Sequence, residues 1–394
     1  MPKSRRLRTE RCQPKHVTPH GHFASVVAAS LPALKILIVK LSSLGDVVHT
    51  MPAVQDIRRA LPHAQIDWVV EPGFAPLVQR CQGVHRVIPC ALRAWRKLWW
   101  TAATRAAWRA FKADLAQVHY DAVIDCQGLT KSAIVARCAK LTATGQRYAM
   151  ANRTDGSGYE AVTRWLADVA IELPPHVHAV QRSRLLCAQA LGYALENSPD
   201  NEKNLSFGLV VQVFTAQAAT KIIAYNTVAF IHGTSRADKC WGEANWVQLG
   251  QRLIAQGYRI GLVHGSDAEQ QRSERLATSF NVTDSHAAQV WPRMSLDALT
   301  DQLAQCAGVI GVDSGLSHIA VALDVPHVQL YNFDTAWRTG PQADAMGIGI
   351  GMRRQVSVFA QPEPAVEQVW QAWLQVAPTM AASSSTTPAT NVTP

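Results

Sequence analysis

The stretch "KILIVKLSSLGDVVHTMP", Lys35–Pro52, decides the reading of the fold. Ile36 to Val39 is a short apolar run of the kind that forms a buried strand. Small residues follow at Ser42, Ser43 and Gly45, and Asp46 stands where the next helix opens. Val47, Val48, Met51, Val54, Ile57 and Leu61 then recur at helical spacing. Strand, small-residue turn and helix make the first unit of a parallel sheet. Asp46 has two readings at this point. It is a cap whose carboxylate accepts backbone N–H bonds and complements the positive helix end, or a base that faces a cleft and activates a hydroxyl. The neighbouring small residues would let a substrate approach the backbone and favour the second, but residue physics leaves the two nearly even.

Working outward, "IDWVV", "HRVIP" and "YDAVID" read as further strands, the last leading into the helical "GLTKSAIVARCAKL". The polar passage "ENSPDNEKNLSFG" breaks the rhythm at Pro199. The second half then repeats it: "TVAFIHG", "YRIGLVHG", "AGVIGVD" and "HVQLY" as strands, separated by amphipathic segments. Continuous Val/Ile/Leu runs mark strands covered on both faces. The expected fold is α/β, two doubly wound Rossmann-like domains facing a central cleft, with ligands at the carboxyl edges of the strands. The expected boundaries are 34–196 for the first domain, 197–226 for a linker region and 227–352 for the second domain. A C-terminal helix within 353–376 carries Val366, Val369, Trp370, Trp373 and Leu374 on one face and is expected to pack back on the first domain. Residues 1–33 are expected to be a disordered basic extension, their apolar patch being too feeble for a secretory signal. The Ser/Thr-rich 377–394 is expected to be a disordered tail.

The chain has 394 residues, 48% of them hydrophobic, enough to build real cores and to exclude global disorder. Its +9 formal charge points to acidic partners, whether nucleic acid, phosphorylated sugars or an anionic membrane. The 8 cysteines are scattered without a CxxC pair, the usage of buried, reduced thiols. No apolar run is long enough to span a membrane.

Three loops after strands carry candidate chemistry. In "HGTSRADKCW", Thr234 and Ser235 offer hydroxyls and turn amides, and Lys239 a mobile positive charge, a set suited to a diphosphate leaving group. The bland reading is a solvated loop with Lys239 paired to Asp238 or Glu243. In "GVDSGLSHIA" a buried strand ends at Asp313, and Ser314 and Gly315 open a helix whose N–H groups can hold an anion. The glycine would let a phosphate come close, and His318 follows one turn on; the bland reading is capping plus a packed histidine. In "VHGSDAEQQR", Glu269 is a ribose contact or, more simply, a first-turn glutamate. The segment Ala91–Leu115 mixes tryptophans with Arg93, Arg96, Lys97, Arg105, Arg109 and Lys112. It suits an anionic lipid surface or a multiply anionic acceptor, against an ordinary amphipathic helix with a solvated basic face. No nucleic-acid-binding signature accompanies it. No two aspartates are separated by one residue, so the D-x-D ligand pair is missing and no metal site is expected.

With "KILIVKLSSLGDVVHTMPAVQDIRRALP", "IDWVVEPGFA", "RVIPCALRAWRKLWW", "YDAVIDCQGLTKSA", "DKCWGEANW" and "GVDSGLSHIAVALD" in colinear order, the chain resembles the lipopolysaccharide heptosyltransferases I of glycosyltransferase family 9, more than the second heptosyltransferases. The resemblance implies a GT-B inverting glycosyltransferase, monomeric, needing no cofactor or metal and binding no nucleic acid. Its donor would be ADP-L-glycero-β-D-manno-heptose. Its acceptor would be Kdo-lipid A at the anionic inner-membrane surface, on the cytoplasmic face, to which the enzyme would be peripherally attached. By matched position the resemblance implies Asp46 as the general base, and Thr234, Ser235 and Lys239 on the phosphates. Glu269 would bind ribose and Met294 would lie against adenine, while Asp313, Ser314, Gly315 and His318 would line the donor pocket. Ser43, Arg93, Arg96, Lys97, Lys131 and Arg153 would engage the acceptor. "NFDTAWRTGPQ" departs from the Tyr-Gly-Pro opening often found there in the family. Transfer to another core sugar, as by a second heptosyltransferase, and nucleotide-sugar binding without turnover are the competing readings.

Overall fold

The computed structural model describes residues 33–195, 205–211, 226–342 and 354–378. The expected N-terminal extension, most of the linker and nearly all of the tail therefore lie outside the described residues, as does the glycine-rich stretch after Gln342.

The first half runs β1 (Lys35–Val39), α1 (Leu44–Ala60), β2 (Gln65–Val70), α2 (Ala75–Gln79), β3 (Val84–Pro89), α3 (Leu92–Lys97), α4 (Ala102–Leu115), β4 (His119–Asp125), α5 (Thr130–Cys138), β5 (Lys140–Met150), α6 (Thr163–Leu166), β6 (Val169–Ile171) and α7 (Ala179–Leu191). The second runs β7 (Thr227–Ile231), α8 (Glu243–Ala255), β8 (Arg259–Leu262), α9 (Asp267–Phe280), β9 (Ala288–Val290), α10 (Leu296–Ala304), β10 (Gly308–Val312), α11 (Gly315–Ala322), β11 (His327–Tyr331), α12 (Ala336–Thr339), β12 (Gln355–Phe359) and α13 (Val366–Val376).

Each half carries one 6-stranded sheet, ordered β3-β2-β1-β4-β5-β6 and β12-β11-β10-β7-β8-β9. All the strand pairs within them are parallel. The two sheets are wound identically, and each reverses direction between its first and fourth strands. Ligand crevices open at such switch points, because the flanking loops diverge there. β7, β10 and β11 are buried along their whole length, the physical counterpart of their unbroken apolar runs. β5 escapes sequence reading because its outer two-thirds alternate among polar and small residues and stay partly exposed.

The α13 expectation needs correcting. Val366, Val369, Ala372, Trp373 and Val376 sit in the core of the second half with Val228, Phe230 and Leu253, not on the first. β12 pairs with β11 and prolongs the second sheet beyond residue 352. Leu374 is exposed, so the buried stripe uses the smaller Ala372 and the final Val376 instead.

The halves meet through α1 and α11. A Cβ on Gly45 would lie 2.6 Å from His318 Cδ2, and one on Gly315 would lie 2.7 Å from Leu44 Cβ. Neither distance is tolerable, so both glycines exist for helix-to-helix approach. Arg80, the residue that closes α2, and Asp301 on α10 add a bidentate pair at 2.5 and 2.7 Å. One apolar cluster continues from Val47 and Met51 of α1 into Ile319 and Leu299 of the second half.

Candidate active site

A cleft of about 450 Å³ opens where the two switch points face each other. Its walls bring together Ser43 and Asp46 from the first half with Thr234, Ser235, Lys239, Glu269, Asp313, Ser314, Gly315 and His318 from the second.

Ser43 is the N-cap of α1 and Asp46 its third helical residue, and the capping reading is met by the Asp46 carboxylate, which accepts from the N-cap amide. Asp46 Oδ2 accepts from the Ser43 amide at 3.2 Å and from its hydroxyl at 2.8 Å. Oδ1 faces two cations, Lys40 Nζ at 3.4 Å and Arg182 Nη2 at 3.5 Å. The carboxylate nevertheless remains 34% exposed, open to the cleft. Burial raises its pKa, but Lys40, Arg182 and the Ser43 hydrogen bonds more than offset that and hold it at about 2. Asp46 is thus an anion at every physiological pH.

Its supports come from distant stretches. Lys40, buried at the end of β1, also donates to the Cys126 carbonyl at 2.9 Å. Burial lowers its own pKa. Arg182 on α7 reaches Thr154 Oγ1 at 3.4 Å as well as the carboxylate. Gln127 Oε1 accepts from the amides of Leu41 and Ser42 at 3.0 and 3.1 Å and so shapes the loop entering α1. Asp125 sets that turn by accepting from Gln127 N, Gly128 N and Ser132 Oγ. Burial pushes its pKa up to about 6.

Across the cleft Lys239 Nζ lies 2.5 Å from Asp313 Oδ2, while His318 Nε2 is 3.5 Å from Oδ1. Burial raises the Asp313 pKa, but His318 and Lys239 outweigh it and keep the carboxyl well below its usual range. The solvated-loop reading of Lys239 fails. Asp238 pairs instead with Arg236, and Glu243 with Arg275, leaving the ammonium aimed at the cleft. Thr234 Oγ1 donates to the Asp313 carbonyl at 3.3 Å. Ser314 caps α11 by accepting from Ser317 N, and Ser314, Gly315 and Leu316 line the same cleft. Glu269 behaves as the first-turn glutamate, Oε2 accepting from Gly265 and Ser266 amides at 2.7 and 3.2 Å, yet it also lines the cleft.

The chain matches the model of glycosyltransferase family 9 (heptosyltransferase) over residues 108–362. Lipopolysaccharide heptosyltransferase 1 of Escherichia coli K12 is 38% identical over 303 residues, 76% of this chain and 88% of that protein. This chain belongs to glycosyltransferase family 9. The Pseudomonas aeruginosa lipopolysaccharide heptosyltransferase 1 is 40% identical over 298 residues, 76% of this chain and 78% of that protein. Among solved structures, E. coli heptosyltransferase WaaC with ADP superposes with a TM-score of 0.74 at 33% identity, covering 87% of this chain and 100% of that one. The family-9 enzyme is therefore a GT-B glycosyltransferase, with its two sheets supplying the two halves of one cleft.

Not every residue expected at the family site shares this cleft. Arg93 Nη2 and Lys131 Nζ each lie 3.5 Å from Ser42 Oγ, beside the mouth next to Ser43. Arg93 also faces Glu71 at 3.4 Å. Arg96, Lys97 and Arg153 are exposed and outside the cleft wall, and Met294 is half-buried against the core in the loop after β9. Conversely Lys40, Arg182, Gln127, Arg338 and His49 were not foreseen. Arg338 and Thr339 reach the cleft from α12, in the loop that departs from the family pattern. A lysine closing an otherwise apolar strand was the one local signal for Lys40. Among the described residues no group of three His, Cys, Asp or Glu side chains is placed to hold a metal ion.

Proposed function

We propose that this cleft transfers L-glycero-D-manno-heptose from ADP-heptose to the Kdo of Kdo-lipid A, inverting the anomeric centre. The observation that carries the reading is the placement of Asp46 and Lys239 on opposite walls of one cleft. The acceptor hydroxyl attacks the anomeric carbon as the bond to the diphosphate oxygen breaks; its proton passes to Asp46, and ADP departs with the bonding pair. A carboxylate held near pH 2 is a feeble equilibrium base. It suffices when attack is on an oxocarbenium-like centre, because the hydroxyl becomes acidic only as the new bond forms. Lys40 and Arg182 keep Asp46 ionised and aimed.

Lys239, the Thr234 and Ser235 hydroxyls and the open amides of α11 stabilise the charge growing on the diphosphate. Entry of the diphosphate would draw Lys239 from Asp313. Glu269 at the β8 edge and Met294 at the β9 edge are suited to ribose and adenine. Ser43, Arg93 and Lys131 at the mouth, with Arg96, Lys97 and Arg153 farther out, suit the carboxylate and phosphates of the acceptor. Lysine and backbone amides take the role a metal would have, so transfer should be metal-independent.

Transfer to a core sugar by a second-heptosyltransferase route has weaker support. The Salmonella typhimurium lipopolysaccharide heptosyltransferase 2 is 23% identical over 306 residues, against 38–40% for the first heptosyltransferases. The test is purified chain with ADP-heptose and Kdo-lipid A, wild type beside Asp46→Asn. Product from wild type alone supports the reading. Undiminished turnover in the variant removes Asp46 from its role, and product only with a longer core acceptor moves the chain to the second route.

A further inference from the structure

The α3–α4 hairpin rises from the carboxyl end of β3, and its four tryptophans divide into two pairs. Trp95 and Trp108 are 5.7 Å apart between ring centroids, and Trp108 stacks on Phe111 at 5.4 Å. This pair packs against the first sheet and fastens the hairpin, as an ordinary amphipathic helix would. Leu98, Trp99 and Trp100 form the turn between the helices and are 51%, 68% and 57% exposed. Two adjacent indoles at a helix tip waste their apolar faces in water, whereas the ring suits the boundary between headgroups and acyl chains.

Charge surrounds the turn. Arg96 and Lys97 precede it, and Arg105 and Arg109 follow it. Asp114 is the only acid between Ala91 and Leu115, and it is engaged by Arg86 at 3.0 Å. The same hairpin reaches the mouth of the cleft, where Arg93 meets Ser42. Among the described residues no helix is long and apolar enough to cross a membrane.

We propose that the Leu98–Trp100 turn is a wedge that seats in the headgroup boundary of an anionic bilayer, with the basic residues of α3 and α4 against the headgroups. The wedge holds the first half of the cleft at the surface, so that a lipid-borne acceptor reaches Asp46 without leaving the bilayer. The inference rests on the lipid-borne acceptor proposed above.

The test uses the full chain and a Trp99→Ser/Trp100→Ser variant, both exposed substitutions. Vesicles of phosphatidylcholine alone are compared with vesicles containing phosphatidylglycerol. Wild type should bind the anionic vesicles at least roughly tenfold more tightly, with binding lost in high salt. Its tryptophan emission should shift to the blue and be quenched by brominated acyl chains. The variant should lose about tenfold or more in vesicle binding and in turnover of vesicle-embedded acceptor. It should retain wild-type turnover on a water-soluble, deacylated acceptor. Wild type that ignores vesicles, or a variant that binds them equally, overturns the wedge. So does a concentration-dependent dimer abolished by the same substitutions without vesicle binding. If neither protein glycosylates the soluble acceptor, the proposed reaction fails, while the vesicle measurements still decide the wedge.

Discussion

The two switch points are built alike and present different groups to the cleft. Each places an aspartate beside a lysine at the carboxyl edge of a parallel sheet, next to a helix opened by a serine cap. In the first half the acid stays 34% exposed, its cations standing behind it at 3.4 and 3.5 Å. In the second the acid is only 8% exposed and its lysine, in contact at 2.5 Å, is the group presented to the cleft. Burying one partner or the other decides whether a wall presents an anion or a cation to the cleft. An Asp–Lys pair is therefore not a function; its orientation to solvent is.

The strongest test of that contrast is removal of the exposed acid. Asp46→Asn should lower turnover roughly 10³-fold, since a positioned base contributes between about 10² and 10⁴, with the fold intact by circular dichroism. Asp313→Asn should cost less, because it leaves Lys239 in place; equal losses would break the distinction. Next, Lys239→Met should reduce kcat by about 10²-fold by removing charge from the leaving diphosphate. A rise in KM alone would make the lysine a ground-state binder.

The interlock between the halves comes third. Gly315→Ala forces a methyl to within 2.7 Å of Leu44 Cβ and should destabilise the chain by about 1–3 kcal/mol, read as a lower Tm. A neutral result would show that α1 and α11 part easily. The smallest effect is on acidity. The Asp46 pKa is lowered from 3.8 to about 2, so its ionised form contributes stability above 3.8 that is lost as pH falls towards 2. Lys40→Met removes the nearer cation while burial remains, so the carboxyl pKa should rise by about a unit or more. The acid limb of the pH–rate profile should move up with it; an unmoved limb assigns the depression to Arg182.

Much of the fold was legible because both sheets are covered on two faces. β7, β10 and β11 are wholly buried and announce themselves as unbroken apolar runs. β6 and β9 have three residues each, too few for any period to show. The placement of α13 was misjudged because an apolar stripe says that a helix is covered but not by which sheet. For the site, the sequence pointed to Asp46, Lys239 and Asp313, all of which line the cleft, because each follows a strand in a small-residue turn. Lys40, Gln127 and Arg182 were missed because each meets the loop or the carboxylate only through packing.

The sequence by itself determined two parallel α/β halves, their order, and which strand-following turns carry acids, hydroxyls and a lysine. Local periodicity and turn chemistry are short-range properties, and neighbouring residues suffice to express them. Only the tertiary structure decided which oxygen of Asp46 is free, that Lys239 joins Asp313 and not Asp238, and that Gly45 and Gly315 serve helix contact. It also separated the two tryptophans that pack from the two that face out. Those outcomes depend on residues far apart in the chain, Arg182 being 136 residues from Asp46 and Gly45 meeting His318 from the other half, and only chain closure sets their distance, burial and charge.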